Sequence, residues 1–169
     1  MIGSTPIQTT YKKYASAAQV GMPGSTIAFD SDTGIAQDSA IGFGLALCKG
    51  GNSDLHVTLG QPSGAGDFVG ISMADPTLPN LAATQTDAYQ EGENVGVLVK
   101  GDIWVAPQTD VTAGGDVYYN SATGQLGASG ISNAVLIKNA KWMTSYPMTV
   151  PGVTNERLAV VRLSGLPTA

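Results

Sequence analysis

The sequence predicts an all-β protein, a single antiparallel β-barrel or sandwich with an extended N-terminal arm and little helix. Three observations carry this. Only 12% of residues are charged, against about 25% in an ordinary soluble domain, and 22 glycines with many Ser, Thr, Asn and Gln take their place. Short apolar runs recur between Gly, Asn and Asp, at the spacing of strands and tight turns. The longest of them alternates strictly, which is the period of a strand with one buried face.

The chain has 169 residues, suited to one domain that can bury a core without disulfides or metal. Residues 1–26 read as the arm and 27–169 as the β-rich domain. Within the arm lie Tyr11-Lys-Lys-Tyr14, the small-residue stretch Ala15-Ser-Ala-Ala18 and Gly21-Met-Pro-Gly24. Prolines and glycines there break any long element, leaving room for one helical turn around 13–19. Such an arm needs another surface to order it.

Strands are expected at Ile41–Cys48 and Asp67–Met73, with a Gly-rich loop between them and an irregular stretch over 74–90. The strongest pattern is Asn94-Val-Gly-Val-Leu-Val-Lys-Gly-Asp-Ile-Trp-Val-Ala106, where Val95, Val97, Val99, Ile103 and Val105 share one parity. A strand bent at Gly101 explains it better than a hairpin, since glycine inside a strand marks a bulge or corner. Gly114-Gly115 supplies a tight turn and a strand restarts at Asp116, followed by a hairpin loop through Gly124. Two strands fit Ala134–Ile137 and Lys141–Tyr146. Arg157-Leu-Ala-Val-Val-Arg-Leu163 is apolar on both parities and reads as central. The expected core includes Trp104, Val97, Val99, Ile103, Val105 and Val160.

Composition also excludes functions. Net charge is −5 with eight basic residues scattered along the chain, so no phosphate-binding patch forms and no direct nucleic-acid contact is expected. No apolar run approaches the ~18 residues of a membrane span, and the N-terminus lacks the pattern of a secretory signal. A soluble product of the cytoplasm is expected. The single Cys48 and single His56 cannot build a zinc centre of the usual kind. Asp30 and Asp32 resemble half a calcium loop, but Ala40 stands where its bidentate Glu belongs, so a turn is expected there. His56 has no marked nucleophile or orienting acid beside it. Cys48 reads as a buried thiol. No enzyme, metal or cofactor is expected.

In order along the chain, several motifs resemble the structural cement (decoration) proteins of tailed-phage capsids, of the Gp24 type. They are Tyr11-Lys-Lys-Tyr14, Gly21-Met-Pro-Gly24, Ile41-Gly-Phe-Gly44 and Phe68-Val-Gly-Ile71. Tyr89-Gln-Glu-Gly-Glu-Asn-Val-Gly-Val-Leu-Val-Lys-Gly-Asp-Ile-Trp-Val105, Val111-Thr-Ala-Gly-Gly-Asp-Val-Tyr-Tyr119 and Leu158-Ala-Val-Val-Arg-Leu163 follow. The resemblance implies a protein on the exterior of a virion capsid that bridges major capsid protein subunits against internal pressure. It further implies self-association, as a homotrimer or alternatively a dimer. Tyr11, Lys12, Lys13 and Tyr14 are the expected contacts with capsid or neighbour. A fibre or adhesin module binding a surface glycan through exposed aromatics is the competing expectation.

Overall fold

The computed structural model describes residues 18–25, 28–37, 40–60, 68–75, 88–146 and 158–165. Among these there is no helix, and eleven strands carry the fold: β1 (Asp30–Ala36), β2 (Ile41–Gly42), β3 (Ala46–Lys49), β4 (His56–Leu59), β5 (Phe68–Ser72), β6 (Ala88–Tyr89), β7 (Asn94–Val105), β8 (Asp116–Asn120), β9 (Leu126–Gly127), β10 (Ala134–Trp142) and β11 (Ala159–Ser164). Nine form one sheet in the order β1-β4-β3-β5-β7-β11-β10-β8-β9, and β1 also pairs with β7. That extra pairing closes β1, β4, β3, β5 and β7 into a barrel. The remaining four strands continue the sheet from the second half of β7. All pairings are antiparallel except β1 with β4, which is parallel.

Two cores share one wall. The barrel holds Ala36, Ile41, Leu47, Val57, Tyr89, Val95 and Val97. A larger core takes Ala46 and Cys48 of β3, Ile71 of β5 and Leu98 of β7, and joins them to Val117, Tyr119, Ile137, Trp142, Val161 and Leu163 of the outer strands. Successive side chains of a strand point to opposite faces, so β3, β5 and β7 are buried on both sides. This explains why their sequences read as nearly continuous apolar runs.

β7 is a single continuous strand of 12 residues, bent rather than folded into a hairpin. Its parity does not survive the bend. Val95 and Val97 face the barrel, whereas Ile103 and Val105 join Leu98 in the larger core. The cause is a bulge: Ser31 pairs with Leu98 and Asp30 with Lys100, leaving Val99 as an extra residue. One extra residue reverses which face each later side chain takes. Gly101 takes the bend at φ +123°, where an added Cβ would come within 2.7 Å of the Phe29 Cβ.

Other expectations shift as well. Ile41–Cys48 is interrupted at Phe43-Gly44, and the two pieces belong to different sheets. The expected pair of strands over 134–146 is one strand, β10, whose register against β8 shifts between Leu136 and Lys141. Asp30 and Asp32, read as a turn, lie in β1. Part of the stretch expected to be irregular forms β6.

Candidate functional site

The arm reaches the body at residues 18–25, and its seat is built from β7. Gly21 N–H donates to the Trp104 carbonyl (2.7 Å), Trp104 N–H to Met22 O (2.9 Å) and Gly24 N–H to Asp102 O (2.6 Å). Pro23, which has no N–H to give, bridges Ile103. The segment thus serves β7 as a second neighbour, opposite β11. Gly21 lies at φ +82°, and a Cβ there would meet Ala74 N at 2.7 Å and Phe43 Cβ at 2.8 Å; at Gly24 it would meet Val160 Cγ1 at 3.0 Å and Asp102 Cβ at 3.1 Å. The motif Gly21-Met-Pro-Gly24, read in the sequence as a breaker, is a clasp that needs both glycines. Residues 18–25, which the sequence reading assigns to the arm, pack against the body, and Ala18 is buried.

Beside this clasp runs a row of four charges. Asp116 of β8 stands opposite Lys141 of β10, Lys141 opposite Arg162 of β11, and Arg162 opposite Asp102 of β7. Lys141 Nζ meets Asp116 Oδ1 at 2.6 Å. Arg162 donates from Nε to Asp102 Oδ1 (2.7 Å) and from its terminal nitrogen to Oδ2 (2.8 Å). Those two bonds hold the Asp102 carboxyl below the ordinary carboxylate range. Its burial works the other way, while the Arg162 charge and a bond to the Ser25 side chain help. One carboxylate thus joins β7, β11 and the arm root.

Of the expected site residues, Tyr11, Lys12, Lys13 and Tyr14 lie outside the described residues. Among the expected core residues, Ile103 and Val105 are fully buried, and Val97 and Val160 are nearly so. Two placements need correction. Val99 is the bulged residue and is only half-buried, and Trp104 is half-buried on the face opposite Ile103 and Val105. The buried tryptophan is Trp142, 1% exposed, whose Nε1 has no hydrogen-bond partner among the described residues. Tyr119 is buried and Tyr118 half-buried, so these aromatics offer no open stacking platform.

At the other end of the barrel wall, a cleft of about 220 Å³ has Val57, Val69, Val97 and Val99 on its floor and Asp32, Lys49, Asp54 and His56 among its lining. His56 Nδ1 lies 2.6 Å from Ser53 Oγ. The same hydroxyl accepts from Leu55 N–H (3.4 Å), and His56 N–H bonds Ser53 O. The pair belongs to a tight turn leading into β4. Sequence reasoning missed Ser53, although its spacing of three from His56 is that of a side chain closing a turn. Cys48 is fully buried, 3.5 Å from the Tyr119 hydroxyl. Among the described residues, no three His, Cys, Asp or Glu side chains cluster to hold a metal ion.

A closed barrel fused through one shared wall to an open sheet, with a terminal segment clasped along that wall, defines the class of protein. A chain of the structure titled "The capsid of Myoviridae Phage XM1" has a similar fold, with TM-score 0.65 and 12% identity over 95% of this chain and 98% of that one. The family model described as Structural cement protein (E217 gp24/Pam3 gp6) matches residues 7–164. The protein belongs to this family of phage structural cement proteins. No curated protein matches the sequence.

Proposed function

We propose that the protein binds the outer surface of an icosahedral phage head and bridges neighbouring major capsid protein subunits, stabilising the head without turnover of a substrate. It does so in many copies, self-associated as trimers. Family membership supports the capsid as partner. The observation that carries the bridging reading is the clasp: three backbone hydrogen bonds hold residues 21–24 along β7. They run across the segment, so tension along the arm loads them together and passes into a wall buried on both faces.

The seventeen residues before Ala18 span about 56–61 Å if extended, which sets the reach of the bridge in this reading. Tyr11 and Tyr14 are the anchors in this reading, because aromatic side chains desolvated at an interface carry much of its binding energy. Repetition on a lattice multiplies the gain through effective concentration. Electron cryo-microscopy of heads incubated with the protein tests it. Density is expected on the outer lattice, touching at least two capsid subunits per copy, and removing residues 1–17 is expected to empty most sites. Heads left bare by the intact protein would refute the reading.

A further inference from the structure

The cleft at the end of the barrel wall has an apolar floor and a polar mouth, and the chain contains a segment that fits it. The floor is Val57, Val69, Val97 and Val99. Lys49 and Asp54 pair at 2.5 Å on the rim, and Asp32 adds another carboxylate, so acid outnumbers base there. An apolar cavity of about 150 Å³ accepts a benzene ring, so a cleft of about 220 Å³ has room for a phenol. A tyrosine suits such a site because its ring is apolar and its tip is polar. Tyr11-Lys-Lys-Tyr14 offers two phenols around the one pair of adjacent basic residues in the sequence.

The cleft and the arm root occupy opposite ends of the same wall. The root touches Phe43 ahead of β3, Ala74 beyond β5 and Trp104 near the end of β7. The cleft takes Lys49 from the end of β3, Val69 from the start of β5, and Val97 and Val99 from the middle of β7. Five or six residues of chain separate the two places (43 to 49, 69 to 74 and 99 to 104), or about 17–20 Å at ~3.3 Å per residue. Extended, the seven residues from Tyr14 to Gly21 span about 23–25 Å, enough to reach either cleft, and the bridging reading of the arm selects that of a neighbouring copy.

We propose that this cleft is the dock for the Tyr11-Lys-Lys-Tyr14 segment of a second copy of the chain, with one phenol on the valine floor and the lysines against Asp32 and the rim. The inference rests on the cement reading of the arm and names its partner. Head-to-tail contacts of this kind close into rings or propagate across a lattice.

Two full-length preparations test it, one carrying Tyr14→Cys or Tyr11→Cys and the other Val99→Cys, with Thr33→Cys on the rim as a second receptor position should Val99→Cys fail to fold. Cys48 is buried and stays. Mixing them under mild oxidation should yield a disulfide-linked heterodimer on non-reducing gels. The yield should be about tenfold above that with Leu136→Cys on β10 as receptor, as expected for a docked segment over a random encounter. Adding Asp32→Lys to the receptor chain should slow the linking about three- to fivefold. No excess over the control would overturn the proposal. So would linkage confined to a single chain carrying Tyr14→Cys with Val99→Cys, which would mean that the arm folds back on its own cleft. Decoration of heads is read separately, so loss of linking with decoration intact refutes the dock alone, and bare heads with linking intact refute the cement reading alone.

Discussion

Asp102 and Arg162 face each other across β7 and β11, and the guanidinium grips both carboxylate oxygens, at 2.7 and 2.8 Å. The pair sits where the arm root crosses the sheet. Gly24 N–H bonds the Asp102 carbonyl, and a Cβ at Gly24 would press on Asp102 and Val160. The carboxylate is buried while the arginine is 43% exposed, so solvent screens part of the attraction and the bidentate geometry supplies much of its worth.

Asp102→Asn should lower stability at neutral pH by about 1–2 kcal/mol, the scale of a charge-assisted hydrogen bond partly open to water. The folded-state pKa of Asp102 lies below its unfolded value, so the ionised form favours the folded state. That contribution is complete above the unfolded carboxylate pKa of about 3.9 and disappears as pH falls through the folded value. Melting curves of the two proteins should therefore differ most near neutrality and converge in acid. A gap that widens on acidification would contradict the assignment.

Trp142→Ala should cost about 3–5 kcal/mol, the range for truncating a buried aromatic. Trp104→Ala should cost clearly less, because half-burial leaves less apolar area to lose. Trp142→Phe should be milder than its lost volume suggests, since it also removes a buried N–H that has no partner among the described residues. Chemical denaturation of the three variants would reveal the order.

Deleting residues 1–17 should leave the melting temperature nearly unchanged. Deleting 1–24 should destabilise by roughly 2–4 kcal/mol, since the three backbone hydrogen bonds to β7 and a fourth from Ala74 N–H to Gly21 O, worth about 1 kcal/mol each, and the packing of Ala18 go with it. Gly21→Ala should reproduce part of this, because a left-handed backbone is strained with a side chain and Ala74 leaves no space. Equal melting of both truncations would remove the clasp from the account.

His56→Ala should leave folding and head decoration unchanged to within about 1 kcal/mol, since its bond to Ser53 closes an exposed turn, where substitutions have small effects. Loss of decoration by a folded His56→Ala protein would give this histidine a functional role.

The sequence by itself determined the all-β class, the long Val-rich strand bent at Gly101 and the central character of β11. Each follows from local chemistry: period-2 alternation, glycine at a bend, apolar residues on both parities. The family resemblance was legible too, because its motifs lie in order along the chain. Only the tertiary structure decided which wall two cores share, since that depends on the β1–β7 pairing between residues about 65 apart in sequence. It alone decided that Trp142 rather than Trp104 is buried, because one bulged residue at Val99 reverses the facing of everything after it, and a bulge leaves no mark in composition. Gly21-Met-Pro-Gly24 behaves likewise. Its glycines look like breakers until β7, Ala74 and Phe43 come close enough to leave no room for a side chain, and that proximity is a property of the fold.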